Sequence, residues 1–174
     1  MNYATIKKRD IANGPGVRVS LFVSGCTHRC PGCFNEIAWD FSYGDPFDQT
    51  AEQILIEALA PDYIQGISLL GGEPFEPQNQ RTLCRFLRKV KEIYPQKNVW
   101  CYSGYTLEQL NGTEPSRARC EVTDEMLSMI DVLVDGRFVL EKKNIRLRFR
   151  GSENQRLIDM NKTREAGEIV LWDQ

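Results

Sequence analysis

Long apolar runs are absent from this sequence. None approaches the roughly 20 residues that a membrane-spanning helix needs. The start, Met1 to Asp10, is polar and charged where a secretory signal carries an apolar stretch. An excess of one charge is absent too: 22 Lys and Arg against 24 Asp and Glu leave a net charge of −2. That balance gives no general attraction to nucleic acid or to an anionic membrane. Histidine is represented by His28 alone, so any Cys/His metal site has one imidazole to draw on. Repeats, low-complexity tracts and linkers are missing, and 174 residues suit a single domain, 1–174. The expectation is a soluble globular protein of the cytoplasm.

What is present is cysteine, unevenly placed. Cys26, Cys30 and Cys33 lie within eight residues, while Cys84, Cys101 and Cys120 are scattered. A reducing cytosol argues against disulfides. The scattered three share no spacing that suggests a site and read as packing or surface residues, since free cysteine behaves as a small hydrophobe.

Hydropathy patterning alternates strands with helices. Val17–Val23 is rich in β-branched and aromatic residues and reads as a strand after the turn Asn13-Gly14-Pro15-Gly16. Ser42 to Asp48 reads as a loop, and Thr50 with Gln53 as a capping box for a helix to about Leu59. Gly66–Leu70 is a second strand ending in Gly71-Gly72-Glu73-Pro74. Gln78 to Tyr94 carries Leu83, Leu87 and Val90 on one helical face. Asn98–Tyr102 and Ile130–Val134 read as strands, Thr123–Met129 as a short helix capped by Thr123 or Asp124, and Ile145–Phe149 as a half-exposed strand. This alternation predicts an α/β fold with a parallel sheet. Its functional loops should follow the carboxyl ends of strands, where such folds place ligands.

Cys26-Thr27-His28-Arg29-Cys30-Pro31-Gly32-Cys33 supplies three thiolates. A structural zinc site wants four ligands, and a loop this tight leaves His28, between two of the cysteines, badly placed to be the fourth. A four-iron, four-sulfur cluster ordinarily takes four cysteines. Three leave one iron with an open position, where chemistry can occur.

This spacing, followed downstream by Gly-Gly-Glu-Pro after a strand, resembles the radical SAM superfamily, in which S-adenosylmethionine (SAM) chelates the open iron. The resemblance implies a 4Fe-4S cluster on Cys26, Cys30 and Cys33, and a partial, open β/α barrel. It implies SAM contacts from Gly32, Cys33, Phe34, Gly71, Gly72 and Glu73, with Phe34 against the adenine. One electron from the cluster then yields methionine and a 5′-deoxyadenosyl radical.

Further stretches narrow the resemblance. Asn13-Gly14-Pro15-Gly16-Val17-Arg18, Phe22-Val23-Ser24-Gly25, Ser103-Gly104-Tyr105, Asp131 to Gly136 and Arg150 to Arg156 are similar to the activating proteins of anaerobic ribonucleoside-triphosphate reductases. That family implies a glycyl radical made on the large reductase subunit as protein substrate, with a flavodoxin-like electron donor. Asp135 is implied at the ribose or a nearby cation, or else is a turn residue before Gly136. Arg18 either meets a carboxylate near the cluster or points to solvent, and the resemblance puts Arg137 at a position where related activases carry a basic residue near SAM. The alternatives are an activase of another glycyl-radical enzyme, such as pyruvate formate-lyase, and a non-enzymatic zinc-binding module.

Overall fold

The computed structural model describes residues 1–173. Its strands are β1 (Asn2–Asp10), β2 (Val17–Val23), β3 (Asp45–Pro46), β4 (Ile64–Gly71), β5 (Asn98–Tyr102), β6 (Val132–Asp135) and β7 (Arg156–Asp159). Its α-helices are α1 (Gln49–Leu59), α2 (Pro77–Ile93), α3 (Leu107–Asn111), α4 (Thr123–Ser128) and α5 (Met160–Ala166). The strands form one mixed sheet in the order β3-β1-β2-β4-β5-β6-β7, which is not closed. The four central strands run parallel. Antiparallel β1 and β7 flank them.

The period-2 alternation of each strand gives the sheet two different faces. On one, Val19, Leu21 and Val23 of β2, Ile67 and Leu69 of β4, Val99 and Cys101 of β5 and Leu133 of β6 are fully buried. Helix α2 covers this face with Leu83, Phe86, Leu87 and Val90. Each such side chain contributes at most roughly 1.5–3 kcal/mol of burial. Pro77 suits the first turn of α2, where the missing N–H has no intrahelical partner anyway.

The opposite face is smaller and more polar. Trp100, Val132 and Val134 form its core, with Tyr102, Phe149, Leu157 and Trp172 packed around them. Arg18 lies fully buried here. Its Nε donates to Ser68 Oγ (2.8 Å), Nη2 donates to Ile67 O (2.9 Å), and the guanidinium stands 5.6 Å from the Trp100 ring centre. Burial lowers its pKa to about 10. Arg18 therefore neither reaches solvent nor forms an ion pair among the described residues, contrary to both expectations.

Several boundaries differ from expectation for local reasons. The cap of α1 is Asp48, whose carboxylate accepts from Ala51 N (2.9 Å), rather than Thr50. No side chain caps α4. The Thr123 hydroxyl instead donates to Gln80 Oε1 (2.6 Å) and accepts from Cys120 N (2.9 Å). Residues 145–149 are irregular, because β7 takes the position beside β6 that a further strand would need. The segment folds back through a Lys143–Ser152 bridge instead.

Gly66 sits where β4 passes β5. A Cβ built there would lie 1.9 Å from Asn98 O, backbone that cannot swing aside. Gly66→Ala should therefore force the two strands apart and cost about 2 kcal/mol or more. A thermal melt should show a midpoint lowered by about 5 °C or more; an unchanged midpoint would refute this account of the sheet.

Candidate functional site

Three loops converge at the carboxyl ends of β2, β4 and β5. The first leaves β2 through Ser24 and Gly25. Gly25 has φ +99°, and a side chain there would strike the Phe41 ring. Gly25 N donates to Ala38 O (2.7 Å) and Cys26 N to Trp39 O (3.2 Å), so the 3-10 turn Glu36–Trp39 backs the cysteine loop. The second loop, Gly71-Gly72-Glu73, is stitched to the first: Gly72 N donates to Val23 O (2.7 Å) and Glu73 N to Gly25 O (2.8 Å). At Gly71 a Cβ would lie 2.6 Å from Val23 N, and at Gly72 2.6 Å from Gly25 O. Both glycines are thus required by the approach of the two loops to each other.

The Glu73 carboxylate is 1% exposed and accepts four hydrogen bonds. Oε1 takes Phe75 N (2.8 Å) and Ser103 Oγ (2.9 Å). Oε2 takes Gly104 N (2.7 Å) and pairs with His28 Nε2 (2.8 Å). A second carboxylate, Glu76, accepts from both the amide and the hydroxyl of Thr27 at 2.7 Å. Asn79 Nδ2 bridges Ser24 O and Glu73 O, each at 3.0 Å. Arg117 donates to Thr27 O (3.1 Å), and Arg137 to His28 O.

Cys26, Cys30 and Cys33 are unpaired and half-buried, and all three line one cleft of about 400 Å³. Phe34, Gly71, Gly72 and Glu73 line it too. Burial, with Glu73 and Glu76 nearby, pushes the Cys26 thiol up to about 12, against the opposing pull of the His28 backbone amide. Binding of a metal centre by these cysteines requires their deprotonation and so releases protons. The sulfur donor set on one loop fits an iron–sulfur cluster. Among the described residues no three His, Cys, Asp or Glu side chains converge on a single metal ion. His28 is engaged by Glu73 and lies against Tyr105 with the rings tilted, centres 4.4 Å apart, rather than aimed at sulfur.

Phe34 is 76% exposed and rests on Phe138, ring centres 5.5 Å apart. Gly32 has φ +76° and faces Leu140. Asp135 is 1% exposed and does not line the cleft. Its carboxylate accepts from Leu107 N (2.7 Å) and from Arg156 Nε (2.9 Å) and Nη2 (2.5 Å), tying β6 to α3 and β7. Cys84 and Cys101 are buried in the core, and Cys120 is half-buried beside Gln80. Sequence reasoning missed Ser103, Asn79 and Arg117, and the pairing of His28 with Glu73. Asn79 and Arg117 stand in no local pattern, and although Ser103 and His28 lie in recognisable stretches, only the fold joins them to Glu73.

The cysteine loop over this sheet defines an iron–sulfur protein: residues 12–158 match the family described as the 4Fe-4S single cluster domain. Closer relatives give more. The anaerobic ribonucleoside-triphosphate reductase-activating protein of Haemophilus influenzae is 44% identical over 157 residues, 89% of this chain and 96% of that protein. Its namesake in Escherichia coli K12 is 43% identical over the same shares, and that of Enterobacteria phage T4 is 38% identical over 90% and 93%. The chain belongs to the family of anaerobic ribonucleoside-triphosphate reductase-activating proteins.

Glu73 and His28 lock two loops together, so their losses should not add. A double-mutant cycle on Glu73→Ala and His28→Ala, read by denaturant unfolding, should give a coupling energy of about 1–3 kcal/mol. Additivity of the two single changes would show that the pair does not hold the loops.

Proposed function

We propose that this protein cleaves SAM reductively at a 4Fe-4S cluster and generates a glycyl radical on the anaerobic ribonucleoside-triphosphate reductase. The observation that carries the reading is that three cysteines, two glycines and an exposed aromatic residue line a single cleft. Cys26, Cys30 and Cys33 would hold the cluster, and the fourth ligand position would be left to SAM. When bound, such a cluster supplies the single electron that cleaves SAM and starts hydrogen removal from a glycine of the reductase.

The chain's own residues then do four things. The Gly71-Gly72-Glu73 loop offers backbone groups beside the cysteines. With four internal donors on its carboxylate, Glu73 serves chiefly to hold this loop in shape. Phe34 presents an aromatic face at the cleft, suited to the adenine. Asp135 acts at one remove, fixing the end of β6 through Arg156. The same reading gives the protein a flavodoxin-like electron donor and a cytoplasmic location.

A colourless protein with one zinc would support the competing binding module. Purification without oxygen, with assays of iron, sulfide, zinc and dithionite-dependent 5′-deoxyadenosine, separates the two. About four irons per chain with cleavage are expected; zinc alone without cleavage would overturn the reading. Alanine at Cys26, Cys30 or Cys33 should abolish cleavage. Alanine at the half-buried Cys120 should leave it largely intact, and iron loss there would mean a misassigned ligand. Phe34→Ala should raise the KM for SAM several-fold, in line with roughly 1–3 kcal/mol for a lost aromatic stack on a base; an unchanged KM would remove Phe34 from the adenine site.

A further inference from the structure

On the helical side of this surface several cations stand in pairs with acids, whereas Lys7, Lys8 and Arg9 of β1 make no ion pair among the described residues. Arg81 meets Glu121, Arg88 meets Glu125, Lys89 meets Glu52, and Arg119 meets Asp124. The segment 140–150 is a second cation-rich stretch, in which Arg148 has a partner of its own. It carries Lys142, Lys143, Arg146, Arg148 and Arg150 against one acid, Glu141, in a chain of net charge −2. Lys142 and Arg146 are exposed and make no ion pair among the described residues. Exposed apolar side chains stand among these cations: Ile145 is 91% exposed and Leu140 47%.

This segment also walls the site. Lys143 Nζ lies 5.1 Å from the centre of the Phe34 ring, one residue beyond the third cysteine. A groove of about 430 Å³ runs between Ile145, Leu147 and Phe149 on one side and Asn13, Leu70 and Tyr102 on the other. It shares Asn13, Phe34, Leu70, Tyr102, Arg150 and Gly151 with the cysteine cleft, so the two form one continuous depression.

Resting on the function proposed above, we infer that residues 140–150 dock an acidic, aliphatic-bearing segment of the reductase next to its reactive glycine. The unbalanced positive charge selects an acidic surface and steers its approach. The apolar side chains among the cations suit a folded protein surface better than a phosphate backbone, which takes charge and hydrogen bonds. Continuity with the cleft gives the location its meaning, because a segment lying in this groove is led directly to the cysteines.

The test uses the reconstituted protein and the intact reductase, with Lys142→Glu/Arg146→Glu and, separately, Ile145→Ser. Neither variant touches a residue assigned to the cluster or to SAM. Binding of the reductase should weaken about tenfold or more in the double variant. Wild-type binding should fall as salt rises from about 50 to 300 mM. Cleavage of SAM without reductase should stay within about twofold of wild type, as expected when rim charges act on association alone. Ile145→Ser should weaken binding at every salt concentration. Unchanged binding by the double variant, or wild-type binding indifferent to salt, would overturn the inference. So would a wild-type dimer that the variant dissolves, since the face would then join two copies of this chain. Absent cleavage with intact, charge-dependent binding would strike the function reading and leave the docking surface standing.

Discussion

The buried Glu73 carboxylate is the group on which the rest of the site depends. A carboxylate withdrawn from water is costly unless its oxygens are fully hydrogen-bonded. Here all four donors come from the protein, drawn from the cysteine loop, its own loop and the loop after β5. Removing any one leaves a buried acceptor short, which typically costs about 1–3 kcal/mol. Three strand ends are thereby held as one rigid body. The parallel register of β2, β4 and β5 brings those ends to the same edge, and the carboxylate fastens them there.

The electrostatics of the cleft follow from the same arrangement. Two carboxylates, Glu73 and Glu76, stand behind the cysteine loop, and burial already disfavours a thiolate at Cys26. Arg117 and Arg137 donate to the carbonyls of Thr27 and His28, bringing positive charge to the loop from the other side. At Cys26 the loop is thus poorly suited to a free thiolate.

Much of this was legible in the sequence, for particular reasons. Central strands such as Asn98–Tyr102 and the face of α2 carry strong periodicity, so their positions follow from pattern alone. The cysteine motif and the Gly-Gly-Glu loop are contiguous, and contiguity is what a reader of sequence can see. Strand β1 escaped because Lys7, Lys8 and Arg9 make it read as a polar terminus. Only its pairing with β2 makes it a strand. Residues 145–149 misled in the opposite way: their alternation suits a strand, but the sheet has no place for one beside β6. The glycines at 71 and 72 were expected to make room for a ligand. They are needed first because the β2 and β4 loops touch backbone to backbone. Long-range partners, such as Ser103 for Glu73 or Arg156 for Asp135, have no local signature at all.

Strand β1 has one more consequence. Among the described residues its outer side is paired only at Asn2 and Tyr3, by the two-residue β3, so Ala4 to Asp10 present an open row of backbone donors and acceptors. Such a row invites another chain to add a strand, which is how sheets nucleate aggregates. This one carries three consecutive exposed cations, Lys7-Lys8-Arg9, and β3 ends in a proline. A second copy offering the same edge would bring like charge against like. The feature that hides β1 from sequence reading is therefore also its guard against self-association.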